Sequence, residues 1–247
     1  WLKTGSKAFA GLGATCYPAP AMLRRWLCSR GQRRYGSTAL KHRLPPCSPL
    51  TGMTPEQKEV YERVLEDRGK TGAKGGFSVT NADGSLVGPW NAMVYSPLIG
   101  GLAERMGSFC RHQNACAPDL IEIGILVVGR EWKSQFEWYV HEKLALKAGV
   151  SEEAIVGLRD GVSPEKIHGF TEKQQLVYKY CFEFHEMKRV SDQTHSDALT
   201  AVGGERALVD LVFTMGFYHQ ISMTLNAFNV PLPDGVEAIF KEPTFPE

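Results

Sequence analysis

The chain has 247 residues, 43% apolar and 22% charged, a balance that supports a packed core and excludes wholesale disorder, a collagen-like repeat and a disulfide-dense miniprotein. Unbroken apolar runs fall well short of the ~18 residues that a membrane-spanning helix needs, so no membrane association is expected. Of the 28 basic residues nine lie in residues 1–55, which hold no acid; the remaining 19 face all 27 acids, leaving an acidic body of net −8 rather than the basic surface of a nucleic-acid binder.

Residues 1–52 place Arg24, Arg25, Arg30, Arg33 and Arg34 among Gly, Ser and Pro. That composition fits an organelle leader, or sequence upstream of a start at Met53. On either reading the segment is expected outside the fold, with residues 53–247 as one domain. The expected compartment is the cytoplasm, or the mitochondrion if the leader is genuine. Thr54-Pro55-Glu56-Gln57 is a capping box with proline at the first helical position, and Val60, Val64 and Leu65 follow at helical spacing. Glycine-rich residues 69–88 read as a loop containing the turn Asn81-Ala82-Asp83-Gly84. Ser96-Pro97 opens a helix through Leu98, Leu102 and Met106. Residues 118–130 are apolar nearly all round, a pattern shared by a fully buried helix and a parallel strand; the helices on either side favour helix.

Residues 132–148 form an aromatic, amphipathic helix that ends at Gly149. Ser151 caps a short helix, Thr171 to Gln174 starts a longer one, and Ser191 or Thr194 begins a connector ending at Gly203-Gly204. Residues 205–228 form the longest apolar helix, stopped by Pro231 and Pro233. It is apolar on more than one face, which predicts self-association. No strand alternation or internal repeat is visible, so the expected class is all-α. The six cysteines include no C-x-x-C pair, and Cys110 and Cys116 are too far apart for a zinc knuckle. Reduced thiols are expected, with no metal and no cofactor.

The chemistry concentrates in residues 131–141, Glu-Trp-Lys-Ser-Gln-Phe-Glu-Trp-Tyr-Val-His. At ~100° per residue Ser134, Glu137 and His141 share one helix face. A Glu and a His four apart can pair directly, which raises the basicity of the imidazole and equips it to shuttle protons. Glu122 sits in the preceding apolar segment, where an unpaired carboxylate would be expensive. His141, Glu137 and Glu122 are therefore the candidate catalytic residues. Ser134, Trp138 and Arg130 are candidate substrate contacts, and Arg111 is a further candidate anchor for a carboxylate.

The stretch from Pro97 to Arg159, above all residues 120–155, resembles the carboxymuconolactone decarboxylase family and its alkylhydroperoxidase D-like all-α fold. The likeness extends over most of residues 53–235, including Leu-Asn-Ala-Phe-Asn-Val-Pro-Leu-Pro at 225–233. The peroxidase branch carries a Glu, a C-x-x-C pair, and a His separated from the second cysteine by three residues. With His141 as that histidine, the acid falls on Glu122 and the cysteine positions on Ser134 and Glu137. Both thiols are missing, and Glu137-Trp138-x-x-His141 is similar to the decarboxylase branch. The resemblance implies a small-molecule enzyme, trimeric or hexameric, that decarboxylates a small lactone or carboxylic acid. Hydroperoxide reduction is disfavoured, because it needs an attacking thiolate and a resolving thiol. A lactone isomerase, a hydrolase and a non-catalytic oligomeric binding protein are the other readings.

Overall fold

Prolines, glycines and small hydroxyl residues set the helix ends in the computed structural model, which describes residues 41–75 and 78–243. The helices are α1 (Pro55–Gly75), α2 (Pro89–Tyr95), α3 (Pro97–His112), α4 (Pro118–Glu131), α5 (Gln135–Ala148), α6 (Glu152–Asp160), α7 (Glu172–Met187), α8 (Asp192–Val202) and α9 (Glu205–Ala227). Among the described residues there is no strand, only an isolated antiparallel bridge between Thr80 and Leu86. The expected all-α class is the observed one. Among the same residues no helix is long and apolar enough to cross a membrane.

Local chemistry accounts for most boundaries. Thr54 and Gln57 form the expected reciprocal cap, as do Thr171 and Gln174, while Ser151 and Ser191 accept the N–H groups of Ala154 and Thr194. Gly149, Gly161 and Gly203 end α5, α6 and α8 in the left-handed conformation that glycine adopts without strain. Two details differ from the sequence reading. α1 runs on to Gly75, through the first part of the expected loop, and the remainder of that loop gives way at Pro89 to the short helix α2.

α4 is the central element, buried without a break from Leu120 to Gly129, and it packs against α5, α6, α7 and α9. Burial on every side explains why its sequence shows no single apolar face. Gly124 gives room for α9: a Cβ there would lie 3.0 Å from Leu211 Cδ1. α1 and α2 pack with α3, which also meets α9.

The expected boundary at Met53 is corrected by residues 41–52. Arg43 donates from its backbone N–H to Phe228 O (2.9 Å) and from Nη1 to Ala227 O (2.8 Å). Asn91 of α2 accepts from Cys47 N and donates to Pro45 O, and Cys47 and Ser48 are buried. This stretch bridges α2 and the end of α9, a role that its basic composition does not announce. Residues 1–40 of the expected tail lie outside the described residues.

Candidate active site

The turn between α4 and α5 sets the geometry. Trp132 caps α4, Lys133 adopts a left-handed backbone (φ 49°), and Ser134 N donates to Gly129 O at 2.9 Å, so that α5 folds back onto α4. This brings Glu122, in the second turn of α4, to Glu137 and His141 on α5. His141 Nδ1 lies 2.6 Å from Glu122 Oε2 and Nε2 lies 2.9 Å from Glu137 Oε1. The other Glu122 oxygen accepts from Arg111 Nη1 of α3 at 2.9 Å. The two acids and the histidine are each at most 5% exposed. The Glu137 contact is close but misaligned: its Oε1 accepts no hydrogen bond, which leaves the Nε2 proton available to a ligand.

Burial alone would strip the imidazole of its proton. The Glu122 and Glu137 carboxylates outweigh that, and the His141 pKa is pushed up to about 9. Burial likewise opposes ionisation of Glu122, but His141 and Arg111 hold its carboxyl below the usual range. At neutral pH the group is an imidazolium and a guanidinium balanced by two carboxylates, a charge-neutral quartet that can be buried. Tyr218 of α9 meets the His141 ring edge to face, with centroids 4.7 Å apart. Burial raises the Tyr218 pKa and keeps the phenol protonated.

Beside the quartet lies a cavity of about 60 Å³, room for a few waters or the reacting end of a small molecule. Glu137, His141, Arg111, Tyr218 and Arg68 line it, with Trp90, Met93, Phe136, Val140, Leu144 and Phe217 as its principal apolar walls. The structure thus brings the expected trio together: Glu137 and His141 line the cavity, while Glu122 contacts His141 without lining it. The three expected substrate contacts do not line it. Trp138 is fully buried on another side of α5, its indole donating to Glu142 and its ring packed edge-on against Phe240. Ser134 is fully buried at the start of α5, with Oγ unpartnered. Arg130, at the end of α4, stacks 5.9 Å from the Phe182 ring. Arg111 reaches the site, but it neutralises Glu122. Arg68 and Tyr218 come from α1 and α9, and no local pattern in the sequence marks them.

No metal-binding cluster occurs among the described residues. The cavity lining holds no cysteine. Cys110, Cys116 and Cys181 are buried free thiols whose pKa values are raised by burial, that of Cys116 to about 12.

The chain matches no family model and no curated protein. Its fold is similar to solved structures of the debrominase Bmp8. A cysteine-to-alanine variant of that protein in complex with 2,3,4-tribromopyrrole superposes with a TM-score of 0.56 at 7% identity, over 80% of this chain and 95% of that one. The apo debrominase gives 0.54 at 9% identity, over 76% and 91%. At these identities the likeness is one of fold.

Proposed function

We propose that this protein is an enzyme of the carboxymuconolactone decarboxylase type, running acid–base rather than thiol chemistry on a small lactone or carboxylic acid, with loss of carbon dioxide as its reaction. The observation that carries this reading is His141, held between Glu122 and Glu137 at the edge of a largely apolar cavity. The family resemblance supports the same three residues, and the all-helical likeness to an enzyme supports the fold. That the debrominase holds a small flat ring supports an occupant of that size.

In this reaction the bond from the ring carbon to the substrate carboxylate breaks. Carbon dioxide departs, and the electron pair passes into the unsaturated lactone carbonyl system. His141 then delivers its Nε2 proton to carbon, and Glu122 and Glu137 hold the ring ready to regain a proton from water. The apolar walls favour release of neutral carbon dioxide. Tyr218, protonated and beside His141, can donate to the oxygen on which charge develops.

The test is to incubate the full chain with γ-carboxymuconolactone and follow carbon dioxide. Release is expected, and His141→Gln is expected to lower it by ~10²–10⁴. No release refutes decarboxylation of this lactone. Hydroperoxide reduction at a useful rate by the native chain refutes the non-thiol reading.

A further inference from the structure

We propose that the site has a second chamber, a vestibule beyond Met93 and Ile221 that holds the arm of the substrate that does not react; this rests on the cavity beside His141 being the substrate site. That cavity, of about 60 Å³, takes only the reacting end of a molecule, whereas small-molecule sites begin at ~300 Å³. A groove of about 250 Å³ lies against it, between α2, the first half of α3 and the end of α9. Pro89, Met93 and Ile221 line both spaces, so one layer of side chains divides them. Joined, the two chambers reach the volume that a small-molecule site needs.

The three dividing residues differ in stiffness. Proline has a fixed ring and isoleucine is stiff at χ1, whereas methionine turns about three bonds and adapts to what it packs against. The backbone of Met93 is pinned. A Cβ at Gly100 would overlap Met93 O and lie 2.5 Å from Met93 Cα, so the absence of a side chain there lets α3 press directly onto α2. An adaptable side chain on a pinned backbone makes Met93 the residue that yields when an arm passes.

Ala92 and Ala103 keep the vestibule open, and Leu44 walls one side of it. Leu44 belongs to the stretch that Arg43 ties to the end of α9, which gives that stretch a part in the site. At the rim Ile99 is 68% exposed and Gln220 is exposed. An arm is therefore sheltered along its length and meets water at its tip. A substrate with two carboxylates places the one to be lost in the inner chamber, and the other stays hydrated at the rim, where it needs no counter-charge.

The experiment titrates the full chain calorimetrically with γ-hexalactone and γ-octalactone, neutral lactones with two- and four-carbon arms, and reads the ratio of the two Kd values. The native protein is expected to bind the longer arm about tenfold more tightly, from about three- to fourfold per buried methylene. Ala103→Leu, which fills the vestibule, and Gln220→Trp, which covers its rim, should bring the ratio toward one. Met93→Phe, which stiffens the division, should do the same. If Ala103→Leu does not fold, Gln220→Trp decides the matter, because position 220 is on the surface. No binding of γ-octalactone at millimolar concentration, equal Kd values in the native chain, or a ratio unmoved by the substitutions overturns the proposal; the last result would send the arm out past Trp90 and Leu144 instead. A vestibule-dependent ratio without carbon dioxide release from γ-carboxymuconolactone would sink the decarboxylation and leave the vestibule standing. Release by a chain whose native ratio is flat would do the reverse.

Discussion

Replacing Glu122 by glutamine tests the central geometry, because the change keeps the volume and removes one charge. Two routes give the size of the effect. The rise of the His141 pKa from its ordinary 6.5 to about 9 corresponds to about 3 kcal/mol at ~1.36 kcal/mol per pKa unit. Removing one partner of a buried ion pair typically costs ~3–5 kcal/mol, and Glu122 contacts both His141 at 2.6 Å and Arg111 at 2.9 Å. We therefore expect Glu122→Gln to lose about 3 kcal/mol in urea unfolding at pH 7, and the His141 pKa, followed by imidazole ¹⁵N shifts, to fall well below 9. A raised histidine pKa stabilises the fold fully below 6.5 and ceases to do so as pH rises through about 9. The cost of the substitution should therefore shrink above pH 9 to the share due to Arg111. In the native chain the depressed Glu122 carboxyl has the opposite sign, stabilising above its ordinary 4.5 and losing that contribution as pH falls. A variant whose His141 still titrates near 9, or whose stability matches the native chain at pH 7, would refute the assignment of Glu122 as the partner that holds the proton.

A chain beginning at Met53 is expected to unfold at lower urea than one beginning at Lys41, by a few kcal/mol at ~1 kcal/mol per lost hydrogen bond, since it lacks the contacts of Arg43, Pro45 and Cys47; equal midpoints would restore the boundary at Met53. Leu98, Leu102 and Phe109 of α3 and Phe213 of α9 are each more than half exposed, and sedimentation at micromolar concentration should show a trimer or hexamer built on this apolar face, whereas a monomer would count against it. His219 accepts from Trp132 Nε1–H at Nδ1 (2.7 Å) and meets His185 Nε2 at 3.0 Å, while His185 Nδ1 meets Cys181 O (2.8 Å), an arrangement that requires both rings neutral. With both pKa values lowered, chiefly by burial, its stabilisation is present above 6.5 and lost as pH falls below it, so His219→Asn should flatten the loss of stability between pH 7 and 5.

What is legible in the sequence is local. Thr54, Ser151, Thr171, Ser191, Gly149 and Gly203 mark helix ends because a cap involves residues only a few positions apart. α2 escapes notice because Gly88 provides no side-chain cap and seven residues are too few to establish a period. The 118–130 segment is ambiguous for the opposite reason: neighbours on all sides demand apolar residues everywhere and erase the periodic signal. Glu137 and His141 can be paired from spacing, since one helix carries both, and Glu122 follows from the family spacing. Trp138 illustrates the limit of that approach. Beside the pair it reads as a substrate contact, but one helical step of ~100° from Glu137 turns it toward Phe240. Arg111, Arg68 and Tyr218 reach the site from α3, α1 and α9, and only tertiary packing places them there.

The protonation state of His141 separates the reactions that this geometry could serve. With its pKa pushed up to about 9 by the flanking carboxylates, the ring is mostly charged at pH 7. A lactone isomerase or a hydrolase that begins by taking a proton from carbon or water would need that rare neutral form, and its rate would climb with pH up to about 9. Decarboxylation needs no base to begin: the electron pair is released by the departing carbon dioxide, and what must be waiting is an acid. A site that keeps its imidazole charged between two carboxylates is suited to the second sequence of events. Once the proton has passed to carbon, the quartet is left with a net charge of −1 in a buried place, and the same carboxylates then draw a proton back onto the ring from water. The rate is therefore expected to hold through neutral pH and to fall as pH rises through about 9. A rate that instead climbs over that range would move His141 from acid to base and the reaction from carbon dioxide loss to proton abstraction.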